Sequence, residues 1–338
     1  KRTRLVVMTE GLLLRLLQAD PFLDGVGAIV FDEFHERSID LDLTFALVCQ
    51  LRRQVRDDLA IVVMSATLDP TPIARYLDDA PVVESEGRTY PVAIDYLDTA
   101  DRRRIDEVAA THIARLSRAS DGHVLVFLPG MREIERTRER LRLPGVDVHV
   151  LHGSLPAEAQ DRAIAPSSTP KIVLATNIAE TSLTIPGVTT VVDTGLVRRL
   201  QHDPSVGLDR LETVRVSRAS ADQRAGRAGR ERPGRCLRLW TEADHGRMHD
   251  EDPPDIDTLD LSQAVLQLLA WGEPSPHTFA WFHRPASHRI DAALLLLERL
   301  GALRGGRLTD RGLAMAQLPL SPRLAAVALD AASRGYPD

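Results

Sequence analysis

Asp32, Glu33 and His35 follow directly on a four-residue apolar run, Ala28–Phe31, within the stretch 26–40. A run of that length and composition suits a buried parallel strand. In an open α/β sheet, ligands bind just beyond the carboxyl ends of the strands. A carboxylate pair there can hold Mg²⁺ through one member and activate a water through the other. The plainer reading of an isolated Asp-Glu is a helix N-terminus, where the helix dipole favours acids. What other stretches of the chain carry decides between the two.

Three such stretches stand at comparable positions. Ser65-Ala66-Thr67 puts two hydroxyls after a strand, where alone they would read as a helix cap. Residues 175–182, including Thr176, Asn177, Thr181 and Ser182, offer hydroxyl and amide groups suited to phosphate oxygens. Residues 223–230 are the most specific: Arg224, Arg227 and Arg230 recur every third position after Gln223. Gly226 and Gly229 between them remove bulk, so that backbone and guanidinium groups can approach a partner. A merely solvated arginine face would not explain two glycines that cost about 1 kcal/mol each in a helix interior. The carboxylates precede the arginines by nearly two hundred residues. If both serve one nucleotide, the site is a cleft between two domains. Its closure would bring arginine fingers to the γ-phosphate opposite Mg²⁺ and Glu33, an effect worth roughly a thousandfold in phosphoryl transfer.

Positioning these groups requires strands alternating with helices. Short apolar runs at 6–8, 28–31 and 61–64 suggest strands of one parallel sheet, with helices near 10–18 and 41–53. Residues 87–99 read as the crossing into a second domain. That domain has expected strands at 124–128, 148–151, 172–175 and 191–192, and helices at 107–118, 131–142 and 157–164. Residues 198–200 and 211–216 flank a turn-rich stretch and read as a β-hairpin. An acidic, proline-containing linker at 250–257 leads to helices at 261–271 and 290–300. A glycine-rich wing at 301–309 follows, as in a winged helix. The expected architecture is α/β: two RecA-like parallel-sheet domains, the first incomplete, followed by a winged-helix domain. The boundaries are 1–90, 91–250 and 251–322, with a further helical domain beginning at 323–338.

Composition sets limits. The 338 residues are 43% apolar and 27% charged, as in an ordinary globular protein. A net charge of −6 argues against a uniformly basic nucleic-acid binder. Residues 198–238, however, carry eleven arginines against five acids, and residues 241–260 carry eight acids against Arg247 alone. A basic band beside an acidic linker suits a phosphate-binding surface on one face. Two distant cysteines, Cys49 and Cys236, and no membrane span or signal peptide suggest a reducing cytoplasm. Only Lys1 and Lys171 are lysines, and neither sits in Gly-x-x-x-x-Gly-Lys-Ser/Thr, so the chain holds no P-loop. With residues 4–8 reading at once as a strand, the chain is expected to be a fragment lacking its N-terminal part.

Thr9-Glu10-Gly11, Asp32-Glu33-Phe34-His35, Ser65-Ala66-Thr67, residues 176–184 and residues 223–230 resemble, in order and spacing, the motifs of DEAH-box helicases of superfamily 2. Phe34 and the run His35-Glu36-Arg37-Ser38 look most like the bacterial HrpB-type branch. The resemblance implies an ATP-dependent RNA helicase or translocase that couples Mg-ATP hydrolysis to movement along RNA. It implies that Asp32, with Glu33, binds Mg²⁺, and that Glu33 deprotonates the attacking water. His35, Ser65 and Thr67 would couple the nucleotide state to the domain interface, with Ser182 and Arg224 also on the nucleotide side. Gln223, Arg227 and Arg230 would reach the γ-phosphate. Thr9, Glu10, Thr176, Asn177 and Thr181 would follow the backbone of single-stranded RNA, or of an RNA duplex with an overhang. The hairpin resembles an element that helps part strands. Backbone contacts of this kind carry no sequence information. Without a P-loop lysine the fragment itself should hydrolyse little ATP. Ile164 replaces the aromatic residue that relatives often set against adenine, and Pro186 replaces an acidic residue. Two other functions share these motifs: an inactive nucleic-acid-binding scaffold, and a DNA translocase with the same motor, since a 2′-hydroxyl contact is not visible in sequence.

Overall fold

The computed structural model describes residues 3–66, 69–85, 90–181, 183–203 and 206–335. The chain forms two compact units: residues 1–82, 201–209 and 253–338 make the first, and residues 83–200 and 210–252 the second.

The first unit opens with α1 (Glu10–Ala19), β1 (Ala28–Phe31), α2 (Ile39–Gln54), β2 (Ala60–Val63) and α3 (Thr71–Tyr76). β1 and β2 pair in parallel, from Ala28 against Ala60 to Phe31 against Val63. Ser38 caps α2, its hydroxyl accepting the Leu41 amide at 3.1 Å. The strand expected at 6–8 is not formed. Val6 and Val7 are exposed, and no described strand offers them a ladder, without which an apolar run has no strand to join.

In the second unit come β3 (Val92–Tyr96), α4 (Ile105–Ala119), β4 (His123–Phe127), α5 (Met131–Arg140), β5 (Asp147–Leu151), α6 (Ala157–Ile164), β6 (Lys171–Ala175) and β7 (Val188–Asp193). The hairpin strands β8 (Leu196–Asp203) and β9 (Leu208–Arg215) follow, their residues 201–209 counted with the first unit, then α7 (Arg218–Gly226), β10 (Gly234–Arg238) and α8 (Glu242–His245) in the second. The sheet order is β3-β10-β7-β4-β6-β5, and every pairing is parallel. β4, β6 and β7 are buried along their whole length, which is why β4 and β6 read as apolar runs, whereas Thr189, Thr190 and Asp193 left only Val191–Val192 of β7 visible in sequence. β3 lies inside the stretch read as a domain crossing. As an edge strand with Ala93, Ile94 and Asp95 exposed, it lacks the apolar signature. β10 was hidden in sequence by Arg235 and Arg238.

The chain returns to the first unit with α9 (Ser262–Trp271), α10 (Ser287–Arg299), β11 (Leu303–Arg304), β12 (Arg307–Leu308), α11 (Asp310–Gln317) and α12 (Pro322–Ser333). β11 and β12 form an antiparallel wing. Gly305 and Gly306 turn it at φ 56° and 75°, a pair of left-handed positions that glycine adopts without strain. Leu14, Phe31 and Phe45 share one apolar core with Leu266, Leu297 and Met315. The segments read as separate domains at 1–90 and 251–322 thus fall largely within one unit. No single helix among the described residues is long and apolar enough to cross a membrane.

Candidate nucleotide and nucleic-acid site

The acidic group of candidate residues lies in the first unit. β1 ends at Phe31, and the ladder to β2 runs on past it. Met64 donates to the Phe31 carbonyl at 2.8 Å and Phe34 donates to the Met64 carbonyl at 3.0 Å. This holds Ser65, which is exposed, beside the acidic turn. Asp32 is exposed, and its Oδ1 accepts the Glu33 amide at 2.9 Å. Glu33 has φ 50° and ψ 40°, a left-handed conformation that costs a non-glycine residue about 1–3 kcal/mol. A 3₁₀ turn, Phe34–Glu36, follows. His35 Nε2 lies 3.5 Å from Glu33 Oε2, and both ring nitrogens are buried without a hydrogen-bond partner among the described residues. A buried histidine with both nitrogens unused is the kind of group that accepts a ligand or a water. Thr9 is exposed at the start of α1, with its hydroxyl making no capping bond, and Glu10 is half-buried beside it. Thr67 lies outside the described residues.

The arginine group of candidate residues lies in the second unit. Ser217 caps α7 through the Ser220 amide, and the helix tightens into a 3₁₀ turn over Arg227–Gly229. The three arginines differ in kind. Arg224 is 1% exposed. Its Nε donates to Glu180 at 2.8 Å, its Nη1 to Asp193 at 3.1 Å and to the Leu196 carbonyl at 3.3 Å. Its guanidinium also lies 4.9 Å over the Phe127 ring. Burial opposes its charge, but Asp193 and Glu180 outweigh that and raise its pKa. Arg227 is buried and spends its guanidinium on the backbone. Nε donates to Glu180 O and Nη1 to Leu183 O, each at 2.8 Å, and Nη2 reaches the Glu180 and Thr181 carbonyls. Arg230 is exposed and contacts the Thr184 hydroxyl. Arg227 and Arg230 thus lean on the 176–184 segment that the sequence singled out. In that segment Thr176 is buried, Asn177 exposed and Thr181 half-buried. Gln223 is half-buried, and Ser182 lies outside the described residues.

The two glycines also differ. A Cβ on Gly226 would meet nothing within 4 Å, as the close approach of a partner requires. A Cβ on Gly229 would lie 2.5 Å from the Tyr90 carbonyl, and its own carbonyl accepts the Tyr90 amide at 2.8 Å. Gly229 therefore serves internal packing against the entry to β3. Glu180 and Asp193, which hold Arg224, were undervalued in the sequence. Their only signal was position, Asp193 at the end of β7 and Glu180 three residues past Asn177.

The molecule's likenesses agree with this geometry. Residues 106–232 match the helicase conserved C-terminal domain, and residues 293–320 match the helicase associated domain (HA2), winged-helix. The chain is 46% identical to the ATP-dependent RNA helicase HrpB of Escherichia coli over 97% of its own length and 41% of that protein's. It is 40% identical to the probable ATP-dependent RNA helicase DHX35 homolog of Caenorhabditis elegans, covering 47% of it. It is 36% identical to E. coli HrpA, covering 27% of it. The chain therefore spans less than half the length of these relatives. The crystal structure of the E. coli DEAH/RHA helicase HrpB superposes with a TM-score of 0.91 over 96% of the chain. An α/β unit with its arginine helix, a strand followed by Asp-Glu-Phe-His and a winged helix, in a chain 46% identical to HrpB over nearly its whole length, place the chain in the DEAH-box family of superfamily 2 helicases, in its HrpB-type branch.

Proposed function

We propose that this chain is the core of an ATP-dependent RNA helicase, in which Asp32 and Glu33 of the first unit and Arg227 and Arg230 of the second serve one Mg-ATP. The observation that carries it is the acidic turn: two carboxylates offered at the end of a parallel strand, with Glu33 held in a strained conformation 3.5 Å from His35, whose ring nitrogens make no hydrogen bond among the described residues. Strain that persists at a strand end points to a functional site.

The donor set fits Mg²⁺. Asp32 is exposed and, among the described residues, accepts only through Oδ1, and no group of three or more His, Cys, Asp or Glu side chains among the described residues could cage a metal. One carboxylate with waters and phosphate oxygens is the usual environment of Mg²⁺ at a nucleotide. When bound, the ion neutralises charge on the transferring phosphoryl group. Glu33 orients the attacking water and takes its proton. Arg230, exposed and steadied by Thr184, stabilises negative charge on the γ-phosphate, while Arg227 holds the Glu180, Thr181 and Leu183 carbonyls. Gln223 assists at the phosphate. His35, Ser65, Thr67, Ser182 and Arg224 relay the nucleotide state. Thr9, Glu10, Thr176, Asn177 and Thr181 contact the RNA backbone. In domain terms, 1–90 is part of one RecA-like domain, 91–250 a second, 251–322 the winged helix and 323–338 the start of a helical domain. Both cysteines are buried thiols, which suits work in a reducing cytoplasm.

The test is ATP hydrolysis by the full-length protein with and without single-stranded RNA. RNA should raise the rate severalfold, and equal rates would count decisively against the proposal. Glu33→Gln should lower turnover by two or more orders of magnitude, since it removes the base, while fluorescent-nucleotide binding stays within about threefold. Nucleotide-independent RNA binding together with undetectable hydrolysis would favour an inactive scaffold.

A further inference from the structure

The letters that name the family spell Asp-Glu-Ala-His, and this chain carries Phe34 at the third position. The Phe34 ring is fully buried. It meets Phe45 edge-on with centroids 4.8 Å apart and Phe282 at 5.5 Å. Arg37 closes the same turn. Its guanidinium lies 4.9 Å over the Phe282 ring and forms two bonds to buried Asp42, at 2.8 and 2.9 Å. Its carbonyl accepts the Asp255 amide at 3.1 Å. Nearby, the Tyr76 hydroxyl donates to the Ala280 carbonyl at 2.5 Å, and its ring lies 5.2 Å from Phe282. Glu33 and Arg37, at the two ends of the 3₁₀ turn, both have φ 50°. Paired left-handed residues persist only where their surroundings over-determine them. Here part of the restraint comes from residues 255–282, more than two hundred positions away and immediately ahead of α10. All of these groups lie in the first unit.

We infer that Phe34 and Arg37 are positioning residues that fasten the Glu33 turn to the 255–282 segment, so that the acidic turn and the winged-helix module respond as one body. A shift of that segment then frees the turn to relax its left-handed residues and moves the Glu33 carboxylate off the water it must deprotonate. A misplacement of about 1 Å at such a group can cost a hundredfold in rate. Whatever loads or displaces the winged helix is thereby read by the hydrolytic base through an aromatic and guanidinium contact, without passing through the second unit. The catalytic half of the inference rests on the helicase reading above; the mechanical half does not.

Two measurements test the two halves separately. Hydrogen exchange on this chain, by mass spectrometry, reads the amides of Phe34 and Glu36, which are bonded to the Met64 and Glu33 carbonyls. Phe282→Ala should speed their exchange at least tenfold and leave β4 and β6 unchanged, and Phe282→Tyr should restore it to within twofold. Exchange at the turn within twofold of the parent overturns the inference, as does a uniform rise across both units, which would mark general destabilisation. In the full-length protein, Phe282→Ala should lower kcat for ATP at least tenfold with KM within twofold, and Phe282→Tyr should recover kcat. An unchanged kcat, or a loss confined to KM, also overturns it. Should Phe282→Ala fail to fold, Phe282→Leu and Arg37→Gln carry the same two readouts. If the full-length parent shows no hydrolysis, the helicase reading fails, while the exchange result still decides the mechanical claim.

Discussion

Arg224→Met removes a guanidinium from between two carboxylates and leaves a side chain of similar length. In the folded chain Arg224 and Asp193 are essentially inaccessible to water, at 1% and 0% exposed. Glu180 is half-buried, and its other oxygen accepts from Ser220 at 2.6 Å. Asp193 Oδ1 also takes the Gly195 amide at 2.8 Å, while Oδ2 has no partner among the described residues. Without Arg224, Asp193 is a buried charge with one amide for company. Breaking a buried pair by removing one member costs about 3–5 kcal/mol. The second unit is of a size at which 1 kcal/mol shifts Tm by roughly 2–4 °C, so its Tm should fall by roughly 6–20 °C. Thermal unfolding and urea titration of the chain measure this. The double variant Arg224→Met with Asp193→Asn should recover at least about 1 kcal/mol of the sum of the single losses, because the two residues are in direct contact. A single-variant loss under about 1 kcal/mol, or strict additivity, would refute the claim that the Glu180–Arg224–Asp193 cage holds α7 to the sheet.

Arg230→Ala is the contrasting case. Exposed and, among the described residues, bonded to the Thr184 hydroxyl, Arg230 should alter stability by no more than about 0.5 kcal/mol yet lower kcat of the full-length protein by roughly a thousandfold. Gly229→Ala should destabilise by about 1–3 kcal/mol, since its methyl would press on the Tyr90 carbonyl. Gly226→Ala should be neutral or stabilise by up to about 1 kcal/mol in denaturant titration, because the site is open and alanine is the better helix former. Four histidines of the second unit, His112, His123, His149 and His245, have pKa values lowered by burial first and by cationic neighbours next: Arg115, Lys171, Lys171 and Arg238 respectively. His123 Nδ1 accepts the Lys171 amide at 3.3 Å, which a protonated ring cannot do. The fold binds fewer protons here than the unfolded chain, so this stability is complete above the ordinary histidine value of about 6.5 and is lost as pH falls below it. Tm of the second unit should decline between about pH 7.5 and pH 5, and less steeply in His123→Gln. A flat or rising profile would contradict the burial of neutral rings.

Local chemistry was legible in the amino-acid order wherever one segment carries its own signal. β4 and β6 are buried on both faces and so are apolar after their first residues, His123 and Lys171, α6 has the bounds its periodicity predicts, and the wing announces itself through Gly305 and Gly306. The carboxylate pair after β1 and the arginine repeat on α7 were equally plain, because catalysis demands rare residue types at fixed spacing. The division of labour among those arginines was not. Arg224, Arg227 and Arg230 are the same residue at the same interval. Only the fold shows that the first neutralises Asp193 and Glu180, the second grips a backbone, and the third reaches solvent, because burial and partner choice depend on Phe127, β7 and the 180–184 segment meeting in space. The same holds for Gly229, whose reason is a carbonyl 139 positions earlier, and for Phe34, which packs on Phe282. Side-chain type and periodicity are properties of neighbours along the chain; desolvation and ion pairing are properties of neighbours across it, and tertiary packing alone assigns those.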